Sequence, residues 1–474
     1  MKRLTIVLAI SATTLFGCSD DAANPDSTGD SGVTEDASDI SDETPDAGAD
    51  ARPNADTHVD EGSHGDTDTG VDAGGAADPL GCPALPWNQG EQVRVTPSQA
   101  GDLAQIVEDA AAGTTIVLED GTYALDEILH FQNEDVTVRS ASDDASKVVI
   151  DADYGVSEPF FITASNVTLA HITIERAIDH PIHVTPAGDG EPDVTGTLLY
   201  GLRIIDGGEQ FVKVNSNGAR DAWVDDGRIE CSYFEMTDAG RPHVERDPGG
   251  CYTGGVDVHS GQGWVVRNNE FHNIYCAGEG LTEHAVHFWS ASRDTLVENN
   301  LIVNCARGVG FGLVENGNTR PYVDDPYPDA GYIGHYDGII RNNVIYADNP
   351  WFDTGIELAQ ARGARVFHNT VFSTDGATGF FSSIDYRFSS TNVEIRNNLV
   401  GRITMRNEAQ GEVDHNLEDI DAALFVDPAN LDFHLRGTAA AAIDSGVAVD
   451  EAGIDIDGET RDKGDGPDLG ADER

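Results

Sequence analysis

A six-residue pattern, apolar-x-Asn-Asn-x-apolar, recurs along the second half of this chain and restricts what it can fold into. It reads Val266-Arg267-Asn268-Asn269-Glu270-Phe271, Val297-Glu298-Asn299-Asn300-Leu301-Ile302, Ile340-Arg341-Asn342-Asn343-Val344-Ile345 and Ile395-Arg396-Asn397-Asn398-Leu399-Val400. Weaker copies surround Ser232, Asn369 and Asn416. From Asn269 onward, the intervals between second asparagines are 31, 43, 26, 29 and 18 residues. Short β-branched runs at such intervals, without helical periodicity, predict a coiled parallel sheet whose turns stack at about 4.8 Å. Asparagine suits the corners because it tolerates left-handed backbone and its amide can bond to neighbouring turns. The Asn-Asn pairs are therefore read as architecture, not catalysis.

Aligning the strand that precedes each corner separates inward from outward positions, because side chains alternate along a strand. The inward pairs are Ile182/Val184, Val212/Val214, Val256/Val258, Val286/Phe288, Val309/Phe311, Ile356/Leu358 and Ile384/Tyr386. The outward row between them reads His183, Lys213, Asp257, His287, Gly310, Glu357 and Asp385. A second outward row reads Thr185, Asn215, His259, Trp289, Gly312, Ala359 and Arg387. Idle surface strands carry Thr, Ser, Lys and Glu, so two imidazoles and an indole on one patch mark a candidate site. Lys213, Asp257 and His287 are expected as the catalytic group on an exposed sheet face. Asn215, His259, Trp289, Glu357, Asp385 and Arg387 are expected as substrate contacts.

Loops flank this face. Arg241–Arg246 and the segment ending in Glu283-His284 enter its strands, and the insertion around Glu315–Tyr336 is expected to form one wall of a groove. Such loops carry function on rigid scaffolds.

The formal net charge is −56, from 84 acidic against 28 basic residues. Nucleic acid is excluded as a partner, since phosphate binding needs clustered Lys and Arg. Residues 19–80 carry −17 of this and almost no aliphatic side chains, which predicts a disordered tether. Before it, Lys2-Arg3, an apolar run and Leu15-Phe16-Gly17-Cys18 have the form of a secretory signal. Its end resembles the bacterial lipobox, with Phe16 larger than usual, which implies lipidation of Cys18. The expected organisation is a signal peptide at 1–18, a tether at 19–80 and a folded domain at 81–474 with a closing cap from about 430. The protein is expected as a monomer in the cell envelope, reaching the membrane only through its lipid.

The repeat resembles the right-handed parallel β-helix proteins of the pectate-lyase-like superfamily. Leu103–Tyr123 looks like the capping helix and first strand of chondroitinase B-like and alginate lyases. Asp432-Phe-His-Leu, Ala442–Gly446, Asp457–Arg461 and Asp468–Ala471 look like the closing segment of bacterial β-helix repeat proteins. The resemblance implies an all-β solenoid with a short N-terminal capping helix. It also implies a polysaccharide or surface glycan as partner and lyase-like β-elimination on a uronate, with calcium as the cofactor some such enzymes use. Lys213, Asn215, Asn217 and Arg220 match the lyase pattern loosely, and no calcium-type acid cluster appears at matching spacing.

Two alternatives stand beside the lyase: a non-catalytic glycan-binding or adhesion protein, and a hydrolase using Glu357 and Asp385. If β-elimination occurs, Lys213 or His287 is the expected base and Arg293 or Arg307 the expected partner of the sugar carboxylate. Six cysteines fit export. Cys251 and Cys276 lie one coil apart and are expected to form a disulfide.

Overall fold

The computed structural model describes residues 81–474, apart from 245, 248, 249, 278, 279 and 462. The signal segment, Cys18 and the tether lie outside the described residues. Three long parallel sheets run the length of the domain, and each turn of the coil adds one strand to each. Ten strands form the sheet that carries the outward rows, from Leu129–Phe131 to Ile403–Arg406. The register Ile182, Val212, Val256, Val286, Val309, Ile356, Ile384 is continuous across seven of them. Those residues and their partners two positions on are buried in one core that fills the coil.

The N-terminal end of the coil is closed as the sequence predicts. Thr96 and Gln99 form a capping box around Pro97, and a 3-10 turn leads into the helix Leu103–Glu108. Leu103 and Val107 are buried, and the helix packs on the strand Leu129–Phe131.

At the corner the two asparagines divide the work. The first takes left-handed backbone, with φ of 56° at Asn268, 54° at Asn299, 56° at Asn342 and 59° at Asn397. The second points inward and builds a ladder. Asn269 donates from its amide side chain to Asn300 Oδ1 at 3.0 Å, and Asn300 donates likewise to Asn343 at 2.9 Å. The chain of amides continues through Asn369 and Asn398 to Asn416. Each backbone N–H from Asn269 to Asn398 also donates to the next Oδ1, so these buried groups are satisfied.

The closing segment folds back along this corner rather than extending the coil. Asn299, Asn342 and Asn397 donate to the carbonyls of Asp455, Ala452 and Val447. Phe425, Phe433, Leu435 and Leu469 cover Val344, Tyr346 and Phe372 on the outer surface of a neighbouring sheet. Two disulfides are present, Cys82–Cys231 and Cys251–Cys276, and Cys305 is a buried free thiol.

Candidate functional site

The outward row is in register as the repeat predicts: His183 beside Lys213, Lys213 beside Asp257, Asp257 beside His287, His287 beside Gly310, and Glu357 beside Asp385. Its exposure is not as expected. Lys213 and Asp257 are each 2% exposed, His287 0% and Glu357 3%, so the row is buried instead of lying on an open face. The physical reason is that the flanking side chains close over it. His284 enters from the loop before its strand and lies above Gly310, where a Cβ would sit only 2.8 Å from the imidazole. Tyr252 covers Lys213 from the same side, and Trp289 stacks on His287 with the rings 5.5 Å apart and nearly parallel.

Buried charges must be paired, and these are. Lys213 Nζ donates to Asp257 Oδ2 at 2.8 Å and to the Tyr252 hydroxyl at 3.2 Å. Burial alone would lower the lysine's pKa, but Asp257 and Tyr252 hold it above its ordinary range. Asp257 accepts from His259 Nε2 at 3.1 Å and from Trp289 Nε1 at 2.9 Å. Burial would raise its pKa, yet Lys213 and the imidazoles hold it well below the usual carboxylate range. Lys213 is therefore buried and paired with Asp257 and Tyr252 rather than standing on an exposed face.

Farther along, burial tends to raise the pKa of Glu357, but His284, Arg307 and Arg387 bring it down to about 2. Arg387 pairs with Glu357, and Arg406 grips Asp385 through two bonds of 2.8 and 2.7 Å. A hydrolase needs one carboxyl kept protonated as the acid. Glu357 is held ionised, and both carboxylates are buried against guanidinium groups of the protein rather than open to solvent.

What reaches solvent is the second row. Asn215, His259 and Trp289 are partly exposed, the His259 side chain by 21%. His259 spends Nε2 on Asp257, and among the described residues no hydrogen bond is made by its Nδ1. Burial outweighs the pull of Asp257 and lowers its pKa, so it is neutral at pH 7. A neutral imidazole oriented by a carboxylate, with one nitrogen open, can accept a proton. His259, partly exposed and held by the buried Asp257, is thus better placed for acid–base work than the buried Lys213 or His287.

Two walls flank this shelf. On one side Arg241 lies over Tyr275 at 3.8 Å and donates to the Asn273 carbonyl, beside the Cys251–Cys276 link. On the other, the insertion is clasped onto successive corners. Arg320 binds Asp225 and the Ser260 carbonyl, and Tyr322 donates to the Ala291 carbonyl at 2.7 Å. Arg293, expected to meet a sugar carboxylate, is committed to Asp324 at 2.7 Å. Arg307 sits near Glu357 and His284, inside the buried row rather than on the shelf.

Residues 194–400 match the family model described as a right handed beta helix region. With the sheet topology above, the chain has the fold of a right-handed parallel β-helix. Among solved structures it is similar to an alginate lyase from Paenibacillus sp. str. FPU-7, at 16% identity over 69% of this chain and 99% of that one, with a TM-score of 0.45. It is similar to the pectate lyase Pel9A at 15% identity over 82% of this chain and 98% of that one, TM-score 0.45. It is also similar to PfbA, a surface adhesin of Streptococcus pneumoniae, at 12% identity over 68% and 87%, TM-score 0.40. No curated protein sequence matches the chain.

Proposed function

We propose that this chain is an extracytoplasmic, lipid-anchored protein that binds polysaccharide on the shelf formed by Asn215, His259 and Trp289. The observation that carries this reading is the fixed presentation of Trp289. Its indole N–H is held by Asp257 and one ring face is stacked on His287, so an aromatic group is pre-oriented at the edge of a rigid sheet. Sugar rings are bound by such apolar faces together with a few directional polar groups, here the Asn215 amide and His259 Nδ1. Direct titration of uronate and neutral polysaccharides, guided by a glycan array, tests it. Binding that depends on Trp289 and Asn215 supports the reading, and equal binding by both alanine variants removes it.

A second reading, β-elimination on a uronate, is favoured by the Asp257–His259 pair, with His259 Nδ1 removing the proton alpha to the carboxylate. Elimination also needs a cation to offset that carboxylate. Lys213, Arg293, Arg320, Arg387 and Arg406 each pair with a carboxylate of the protein already, and Arg307 acts on Glu357 and His284 in the buried row. Binding is therefore the primary reading. Appearance of ultraviolet-absorbing unsaturated ends, lost in His259→Ala, would establish the lyase.

The anchor rests on Leu15–Cys18 and the acidic segment after it. Cys18→Ala is expected to move the protein from the membrane fraction to the soluble one. Retention in the membrane would place the anchor elsewhere.

A further inference from the structure

Beneath the shelf, Glu283, His284 and His287 bring three donor atoms within 4.8 Å of one another. Glu283 Oε2 is 3.5 Å from His287 Nδ1 and 3.9 Å from His284 Nδ1. Both imidazoles are buried, at 1% and 0% exposure of the side chain. Yet His287 Nδ1, both nitrogens of His284 and Glu283 Oε2 make no hydrogen bond among the described residues. Glu283 Oε2 and the two Nδ1 atoms, buried together without a hydrogen bond, are costly, each by about 1–3 kcal/mol, unless something shared satisfies them.

The second nitrogens say what that something is. His287 Nε2 lies 3.2 Å from the Gly312 carbonyl, which can only accept, so Nε2 carries the proton. In the neutral ring, Nδ1 is then a lone pair directed at two carboxylates, Glu283 at 3.5 Å and Asp257 Oδ1 at 3.3 Å. His284 Nε2 faces the ionised Glu357 at 3.6 Å, which favours its proton there and leaves Nδ1 as the donor toward Glu283. An imidazole whose far N–H is held by a carbonyl or carboxylate is the usual arrangement behind a metal ligand.

We propose that Glu283, His284 and His287 form a binding site for a divalent transition-metal ion of the zinc class, with Asp257 or water as the fourth donor. Bonds of about 2.0–2.1 Å in a tetrahedral site space the donors about 3.3–3.5 Å apart, so the observed separations close with small side-chain movements. Two imidazole nitrogens and one or two carboxylate oxygens suit zinc, whereas calcium takes six to eight oxygens that this cluster does not offer. Glu283, 24% exposed, is the side from which an ion enters.

The test uses the full chain, stripped with a chelator and carried in a His434→Ala background, because His434, Asp457 and Asp472 form a second, more exposed donor cluster. Zinc titration should give one ion per chain by elemental analysis and raise the thermal midpoint, and cobalt should give visible bands of tetrahedral intensity. Glu283→Gln, a partly exposed change that leaves the core intact, should weaken zinc binding at least tenfold. His284→Ala should abolish the cobalt bands. No bound zinc, or zinc binding unchanged in Glu283→Gln, would overturn the site. None of these readouts involves a sugar, so they stand or fall apart from the glycan shelf.

Discussion

Trp289 donates its indole N–H to Asp257 Oδ1 at 2.9 Å, and so joins the exposed shelf to the buried ionic row. Trp289→Phe keeps a ring against His287 but removes a bond to a buried carboxylate, at a cost of about 1–3 kcal/mol. Its thermal midpoint should fall while part of the glycan affinity remains. Trp289→Ala should lose about tenfold or more in affinity, equivalent to about 1.4 kcal/mol. Asn215→Ala should lower affinity without moving the midpoint. Calorimetric titration paired with thermal unfolding separates the three.

Lys213 and Asp257 are each 2% exposed and 2.8 Å apart. Removing one partner leaves the other charge buried, which costs about 3–5 kcal/mol. Lys213→Met should therefore shift the urea midpoint strongly. Combining it with Asp257→Asn should cost clearly less than the two single effects added together, the sign of a coupled pair. Additive effects would mean that the two charges are neutralised separately.

Buried histidines set the acid side of the stability curve. His180 and His335 have pKa values lowered by burial to about 3, from 6.5. Between those values the unfolded chain binds protons that the folded one refuses, so stability is full above pH 6.5 and declines as pH falls toward 3. The ionised Glu357, at about 2 instead of 4.5, adds a further loss below pH 4.5. The thermal midpoint should stay nearly level above pH 6.5 and drop as pH falls from 6.5 to 5. His335 lies flat against Phe311 at 3.8 Å and bonds to Thr295 and the Asp337 carbonyl. His335→Gln should make the slope shallower, and an unchanged slope would mean that His335 titrates normally.

The coil was legible because its signal is periodic. The position of each Asn-Asn pair sets a corner, and alternation then assigns Val256 and Val258 inward and Asp257 outward without reference to distant residues. Which outward residues see solvent was not legible, because that depends on loops with no period. His284 covers the row only because Gly310 has no side chain, and a glycine among large polar residues in one register was the available sign. Glu357 and Asp385 looked like a catalytic pair until Arg387 and Arg406, contributed by the following strands, were placed against them. The return of residues 447–455 along the corner, and the Cys82–Cys231 link across 149 residues, are long-range contacts that local pattern does not encode.

The central claim is that the half-buried edge at Asn215, His259 and Trp289, not the buried row beneath it, meets a glycan. The most direct measurement is calorimetric titration of the polysaccharide selected by array against the wild type, Asn215→Ala and His259→Ala, with thermal midpoints recorded alongside. Saturable binding to the wild type and a loss of about tenfold or more in each variant, about 1.4 kcal/mol, are expected, with the Asn215→Ala midpoint nearly unchanged and the His259→Ala midpoint lowered by the lost bond to Asp257. Equal affinity in all three would contradict that claim and place the binding surface elsewhere on the coil.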